Sequence, residues 1–267
     1  MQEPVSPIQI TLPVRQLVEF LRRVGSIDNR FTGFDRANEG ARIHRKLQRA
    51  AVKEHADYAA EVFLRGIFAY EEIEFTLEGR ADGIFTAADG VTVVDEIKTT
   101  ACPAADITPD FAPEHWAQAI VYAAIYAAQH ELEEMRVQLT YFQVDEELIL
   151  RFERHYTAQQ LQEEVEALLA EYAPWARRAV EWKKARNSDL QAMQFPFPAY
   201  RPGQRAMAGE VYKVCRDGGQ LLCQAPTGIG KSMSVLFPAL KSMGNERVGP
   251  IFYLTARGTT RTACLLY

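Results

Sequence analysis

The chain has 267 residues, 48% hydrophobic and 24% charged, which is room for one large globular domain or two ordinary ones. A formal net charge of −5 excludes a uniformly basic nucleic-acid binder, so any surface for a polyanion must be a local patch. No run approaches the roughly 20 apolar residues of a membrane span. The opening "MQEPVSPIQITLP" carries no secretory signal and the four cysteines lack CxxC spacing, so the expectation is a cytoplasmic protein with neither disulfide framework nor zinc knuckle.

Leu17, Phe20, Leu21 and Val24 recur at helical spacing, predicting a helix over about 14–24 that Gly25 stops. Ile43, Leu47 and Ala51 predict a second helix over about 36–58. The period then becomes two: "YEEIEFTLEG" alternates as a half-buried strand does, and "RADGIFTAADGVTVVDEIKTT" reads as two more strands joined by "AADG". A helix over about 114–133, a hairpin in "MRVQLTYFQVDEELILRFERHY" and a helix from "TAQQLQEEVEALLAEY" onward complete an α-α-β-β-β-α-β-β-α order. This describes an α/β domain over residues 1–185, a Pro-containing linker over 186–199, and a βαβ unit over 200–267 with strands "GGQLLCQAP" and "PIFYLTA".

The strand "VTVVDEIKTT" ends in charge, which a sheet interior disfavours without compensation. If Ala88-Asp89-Gly90 is a three-residue loop, with Gly90 left-handed, Ala87 faces Val91 and counting back sets Asp82 opposite Glu96. Their β-carbons would lie about 5 Å apart, an arrangement that asks for a cation between them. Lys98 shares the face of Glu96, and Asp95 points to the other side. An acidic pair beside a lysine suits Mg²⁺- or Mn²⁺-assisted phosphodiester hydrolysis, with the lysine holding water or stabilising the anionic transition state.

Asp82 followed by Glu96-x-Lys98 at the end of the next strand resembles the core of the PD-(D/E)XK nucleases. His44 in "EGARIHRKLQ" and the Gln118-x-x-x-Tyr122 pair in "HWAQAIVYAA" are similar to further motifs of the RecB-like branch. The resemblance implies a restriction-endonuclease-like mixed sheet flanked by helices, with Asp82, Glu96 and His44 as metal ligands. Lys98 would serve the water, and Gln118 and Tyr122 would position DNA, single-stranded by expectation. Ala81 replaces the nominal proline, and with only Cys102 in the region the four-cysteine iron–sulfur cluster of some relatives is absent. A module that grips DNA without cutting it is the alternative.

"QAPTGIGKS" has the form of a phosphate loop between strand and helix. Backbone N–H groups of Thr227, Gly228 and Gly230 would cradle the phosphates of ATP, Lys231 would reach the β/γ oxygens and Ser232 would bind Mg²⁺. The loop resembles that of DinG/XPD-like superfamily 2 helicases, with "YRPGQ" similar to their Q motif and Tyr253–Arg257 to motif Ia. By that resemblance Gln204 reads the adenine edge and Arg201 supports it. The family's acidic box and second lobe have no counterpart before Tyr267, so the expectation is a partial RecA-like P-loop α/β unit, the front part of a nuclease–helicase acting in DNA repair or processing.

Overall fold

The computed structural model describes residues 7–23 and 33–254, with backbone alone for 33–37. It divides into two compact units, Met1–Ala176 and Arg177–Tyr267. In the first, β1 (Ile8–Pro13), α1 (Val14–Arg22) and α2 (Gly33–Glu54) precede β2 (Ala59–Tyr70), β3 (Ile73–Thr86) and β4 (Thr92–Thr100). Then come α3 (Pro113–His130), β5 (Glu134–Gln143), β6 (Leu148–Thr157) and α4 (Ala158–Ala192), whose residues from Arg177 onward fall in the second unit.

The strands form one mixed sheet of order β1-β3-β4-β5-β6, with β2 paired to β3. β2 covers one edge of β3 over nearly its full length. The other edge is shared: β1 runs parallel to Ile73–Glu78, and β4 runs antiparallel to Gly83–Thr86. Between Glu78 and Gly83 neither neighbour is paired, so the sheet forks there.

Helices cover both faces. Ile43 and Leu47 of α2 pack on Ile97 and Phe142, whereas Val94, Leu139 and Tyr141 belong to the main core with Val121 of α3 and Leu161 of α4. Burial on both faces explains why β4 reads as an unbroken apolar run up to its charges. Alanines at 117, 119, 123, 124 and 127 keep α3 slim against the sheet.

The sequence-predicted order differs at the N-terminal side. β1 was not predicted, and the helix expected to reach Tyr58 ends at Glu54, with β2 occupying the chain beyond it. The two strands expected either side of residue 80 are one, because β3 runs unbroken from Ile73 to Thr86.

The larger correction is at the C-terminal end. The described part of the second unit contains α5 (Gln204–Asp217) and α6 (Lys231–Gly244), and no strand. The expected βαβ phosphate-loop unit is therefore not formed: the region is helical. "GGQLLCQAP" is irregular chain without ladder partners, and Leu222 and Leu254 are 100% and 92% exposed. A strand is stable only when its N–H and C=O groups find a neighbouring strand. The other expected strand, which would have to supply one, is also unpaired over residues 250–254. Residues 255–257 of the motif Ia resemblance lie outside the described residues.

Candidate active site

The fork in β3 positions the carboxylates. Ala87 N–H donates to Val91 O at 2.9 Å and Gly90 has φ +88°, which is the expected loop. Pairing runs from Thr86↔Thr92 to Gly83↔Asp95, and one further step sets Asp82 opposite Glu96. At that step the ladder gives way to a side-chain bond: Ile97 N–H donates to Asp82 Oδ2 at 2.7 Å. Asp82 also escapes the ladder on its other side. Every β2–β3 pair from Ala59↔Ile84 to Tyr70↔Ile73 is formed except Glu61 with Asp82, and Glu61 has a left-handed φ of 54°.

Lys98 is anchored from two elements. Its Nζ donates to Glu96 Oε1 at 2.7 Å and to Gln118 Oε1 of α3 at 3.2 Å. Gln118 Nε2 in turn donates to Tyr122 OH at 3.4 Å, one helical turn further on. Tyr122 fits against the fork because β3 carries glycine there: a Cβ on Gly79 would lie 2.5 Å from the phenol oxygen. His44 on α2 places Nδ1 3.4 Å from Asp82 Oδ1. Glu96, Lys98, Gln118 and Tyr122 are thus linked by hydrogen bonds across β4 and α3, while His44 and Asp82 form a second pair that reaches β4 through the Ile97 N–H.

The electrostatics follow from burial. Glu96 is 2% exposed and its Oε2 has no hydrogen-bond partner. Desolvation pushes its pKa up to about 7, with Lys98 opposing the rise and Asp82 adding to it. The Asp82 hydrogen bond raises the His44 pKa against the effect of burial. Asp95 faces away, accepting from Thr140 Oγ1 at 2.6 Å and Gln138 Nε2 at 2.9 Å, and burial raises its pKa.

Two neighbours were not singled out from the sequence. Buried Gln48 donates Nε2 to Asp82 O at 3.0 Å and to Glu61 Oε1 at 2.9 Å, supplying bonds where the β2–β3 ladder skips a pair. It lies four residues from His44 on one helix face, and that spacing was the available signal. His115 lies within hydrogen-bonding distance of Tyr141 OH, 2.9 Å from Nδ1. Burial, then the charges of Lys98 and Arg15, lower its pKa to about 3, leaving it neutral. With Arg15, His44, Lys98, Glu114 and Gln118 it lines a cavity of about 380 Å³.

In the second unit, the residues expected around ATP meet at the glycine-rich loop. Arg201 donates through its guanidinium to Gly228 O, and its backbone N–H donates to Gln204 Oε1 at 2.9 Å. Gln204 Nε2 donates to Gly230 O at 3.3 Å. Lys231 folds back onto the loop, donating to Ala225 O at 3.1 Å and Pro226 O at 2.9 Å. Ser232 Oγ accepts from Tyr253 OH at 3.3 Å, and Thr227 is exposed. Gly228 and Gly230 have φ of 85° and 84°, but no strand leads into the loop.

The mixed sheet flanked by helices is restriction-endonuclease-like. The PD-(D/E)XK nuclease superfamily model matches residues 14–202, and the chain belongs to that superfamily. Members of the superfamily generally use divalent metal ions. A probable ATP-dependent helicase of Methanocaldococcus jannaschii is 38% identical over 47 residues, 18% of this chain; the match spans only 7% of that relative's length. The crystal structure of SSO0001 superposes with a TM-score of 0.38 at 17% identity, over 64% of this chain and 78% of that one.

Proposed function

We propose that the N-terminal domain is a metal-dependent DNA nuclease that hydrolyses phosphodiester bonds at the fork of β3. One observation carries this reading: Lys98 Nζ is shared between Glu96 Oε1 and Gln118 Oε1, while Glu96 Oε2 is buried without a partner. An unpartnered carboxylate oxygen in a desolvated position is costly, and a cation would offset that cost. Carboxylate oxygens suit Mg²⁺ or Mn²⁺. Asp82 and Glu96 would hold the ion, with His44 as a further ligand.

Such an ion, when bound, supplies an activated water and neutralises charge on the phosphate. The residues of the chain do the positioning. Lys98, held by Glu96 and Gln118, presents its ammonium to the water and to the oxygen on which negative charge grows. Gln118 and Tyr122, both buried, brace that ammonium from α3. Gln48 fixes the backbone of Asp82 so that its carboxylate keeps its direction.

The test is incubation of end-labelled single-stranded DNA with Mn²⁺. The wild type should cut, and Glu96→Ala and Lys98→Ala should not. Cleavage that survives in both variants would move the chemistry away from the fork. A DNA-gripping module without cleavage is the second reading. It is favoured by one observation: among the described residues no group of three His, Cys, Asp or Glu is arranged to hold a metal ion. Binding by the wild type with no Mn²⁺-dependent cleavage would establish it.

The helicase-linked part of the proposal, including a role in DNA repair or processing, rests on "QAPTGIGKS" and on the 47-residue match. It requires that the protein bind ATP with Mg²⁺ and that Lys231→Ala lose that binding. Equal titration of the two proteins by a fluorescent ATP analogue would remove this part and leave the nuclease reading intact.

A further inference from the structure

α2 has a second surface that the site does not use. His44 and Gln48 point to Asp82, and Ile43 and Leu47 to the core. The outward face carries Arg42, Arg45, Lys46, Arg49 and Lys53, all exposed. At about 100° per residue these five fall on one stripe, about 16 Å long at 1.5 Å per residue. No acidic residue occurs between Gly40 and Lys53, and none of the five forms an ion pair among the described residues.

The stripe borders a groove of about 790 Å³, walled on its far side by Phe142 and Val144 at the end of β5. Lys46 Nζ lies 5.7 Å above the Phe142 ring. Glu39 and Glu147 are the groove's acidic residues. A solvated helix face ordinarily intersperses both signs of charge, because uncompensated like charges at i, i+3 and i+4 repel. Here five cations face two carboxylates and form no ion pair among the described residues, in a chain whose net charge is −5. A polyanion lying along the stripe would relieve that repulsion and release counterions.

We infer that the groove beside α2 is a nucleic-acid-binding surface, on which Arg42, Arg45, Lys46, Arg49 and Lys53 contact the phosphates of one DNA strand, separately from the cleavage site. The choice of DNA as the polyanion rests on the nuclease reading; the existence of the surface does not. The contacts are to backbone, so binding is independent of sequence and steeply dependent on salt.

Fluorescence anisotropy of labelled oligothymidylate, measured in EDTA to exclude cleavage, tests this. Removing three charges in Arg42→Ala/Arg45→Ala/Arg49→Ala should reduce the slope of log K against log salt by about 2, at roughly 0.7 per phosphate contact. Affinity near 50 mM salt should fall at least about tenfold. The corresponding triple lysine variant should keep the wild-type slope. A control lacking Arg65, Arg178 and Lys213, exposed cations elsewhere, should keep it as well. Binding read in EDTA does not depend on cleavage, so failure of the track and failure of the nuclease reading are read separately. Equal losses in the groove variant and the control, or no wild-type binding at any salt, would overturn the inference.

Discussion

The two units carry motifs of similar sequence clarity and very different structural support. In the first, Asp82, Glu96 and Lys98 are held by two strands, and α2 and α3 fix them from either face. In the second, the glycine-rich loop enters α6 from irregular chain whose Leu222 is fully exposed, and Lys231 turns back onto the loop's own carbonyls. A motif acquires chemistry when its scaffold pre-orients it against competing local contacts. The fork holds Lys98 between acceptors on two elements, whereas Lys231 is held by carbonyls of its own loop.

The largest expected effect sharpens the first half of that contrast. Glu96→Ala and Lys98→Ala should each lower Mn²⁺-dependent cleavage by at least about 100-fold, since each removes a group acting on the developing charge. Lys98→Arg should recover little, because the two acceptors 2.7 and 3.2 Å from Nζ are set for a compact ammonium.

A smaller loss is expected one layer out. Gln48→Ala leaves Glu61 and the Asp82 carbonyl without their donor, which should cost about 1–3 kcal/mol in urea unfolding. If Gln48 positions Asp82, kcat should fall with KM little changed, and Gln48→Glu should not rescue. Loss of stability with kcat intact would make Gln48 a structural residue only.

The charge on Glu96 gives a pH signature. Folding raises its pKa from the ordinary 4.5 to about 7, so the folded state binds this proton more tightly than the unfolded chain does. The resulting stabilisation is fully present below about 4.5 and is lost as pH rises through about 7. Without metal, the melting temperature of wild type relative to Glu96→Gln should decline across that window. Mn²⁺ should raise the wild-type melting temperature most at its upper end.

The smallest effect probes the second unit. Leu222→Asp should change stability by no more than about 0.5 kcal/mol, as befits an exposed position. The same substitution at Val94, fully buried in β4, should prevent folding. A cost of several kcal/mol at Leu222 would mean that "GGQLLCQAP" is a packed strand after all.

What the sequence disclosed was local. The β3–β4 hairpin was legible because Gly90 and the apolar alternation fix the loop and register together, and register brings Asp82 toward Glu96. The QxxxY spacing put Gln118 and Tyr122 on one helix face for the same reason. β1 was hidden because its six residues gain their meaning from Ile73–Glu78, far along the chain. β2 was hidden because Phe63 and Ile67 are exposed while Leu64 is buried, which blurs its period. The skipped Glu61–Asp82 pair, which gives Gln48 its place, is a tertiary feature that no local pattern encodes. The C-terminal strands failed for the converse reason: good local patterning cannot form a strand without a partner.

The central claim is that the carboxylates of Asp82 and Glu96 face a common cation beside Lys98. Anomalous diffraction from crystals grown with Mn²⁺ tests it directly. The account predicts a manganese peak in contact with Asp82 and with Glu96 Oε2, absent in Glu96→Ala. An empty fork in the wild type, under Mn²⁺ concentrations that support cleavage, would contradict it.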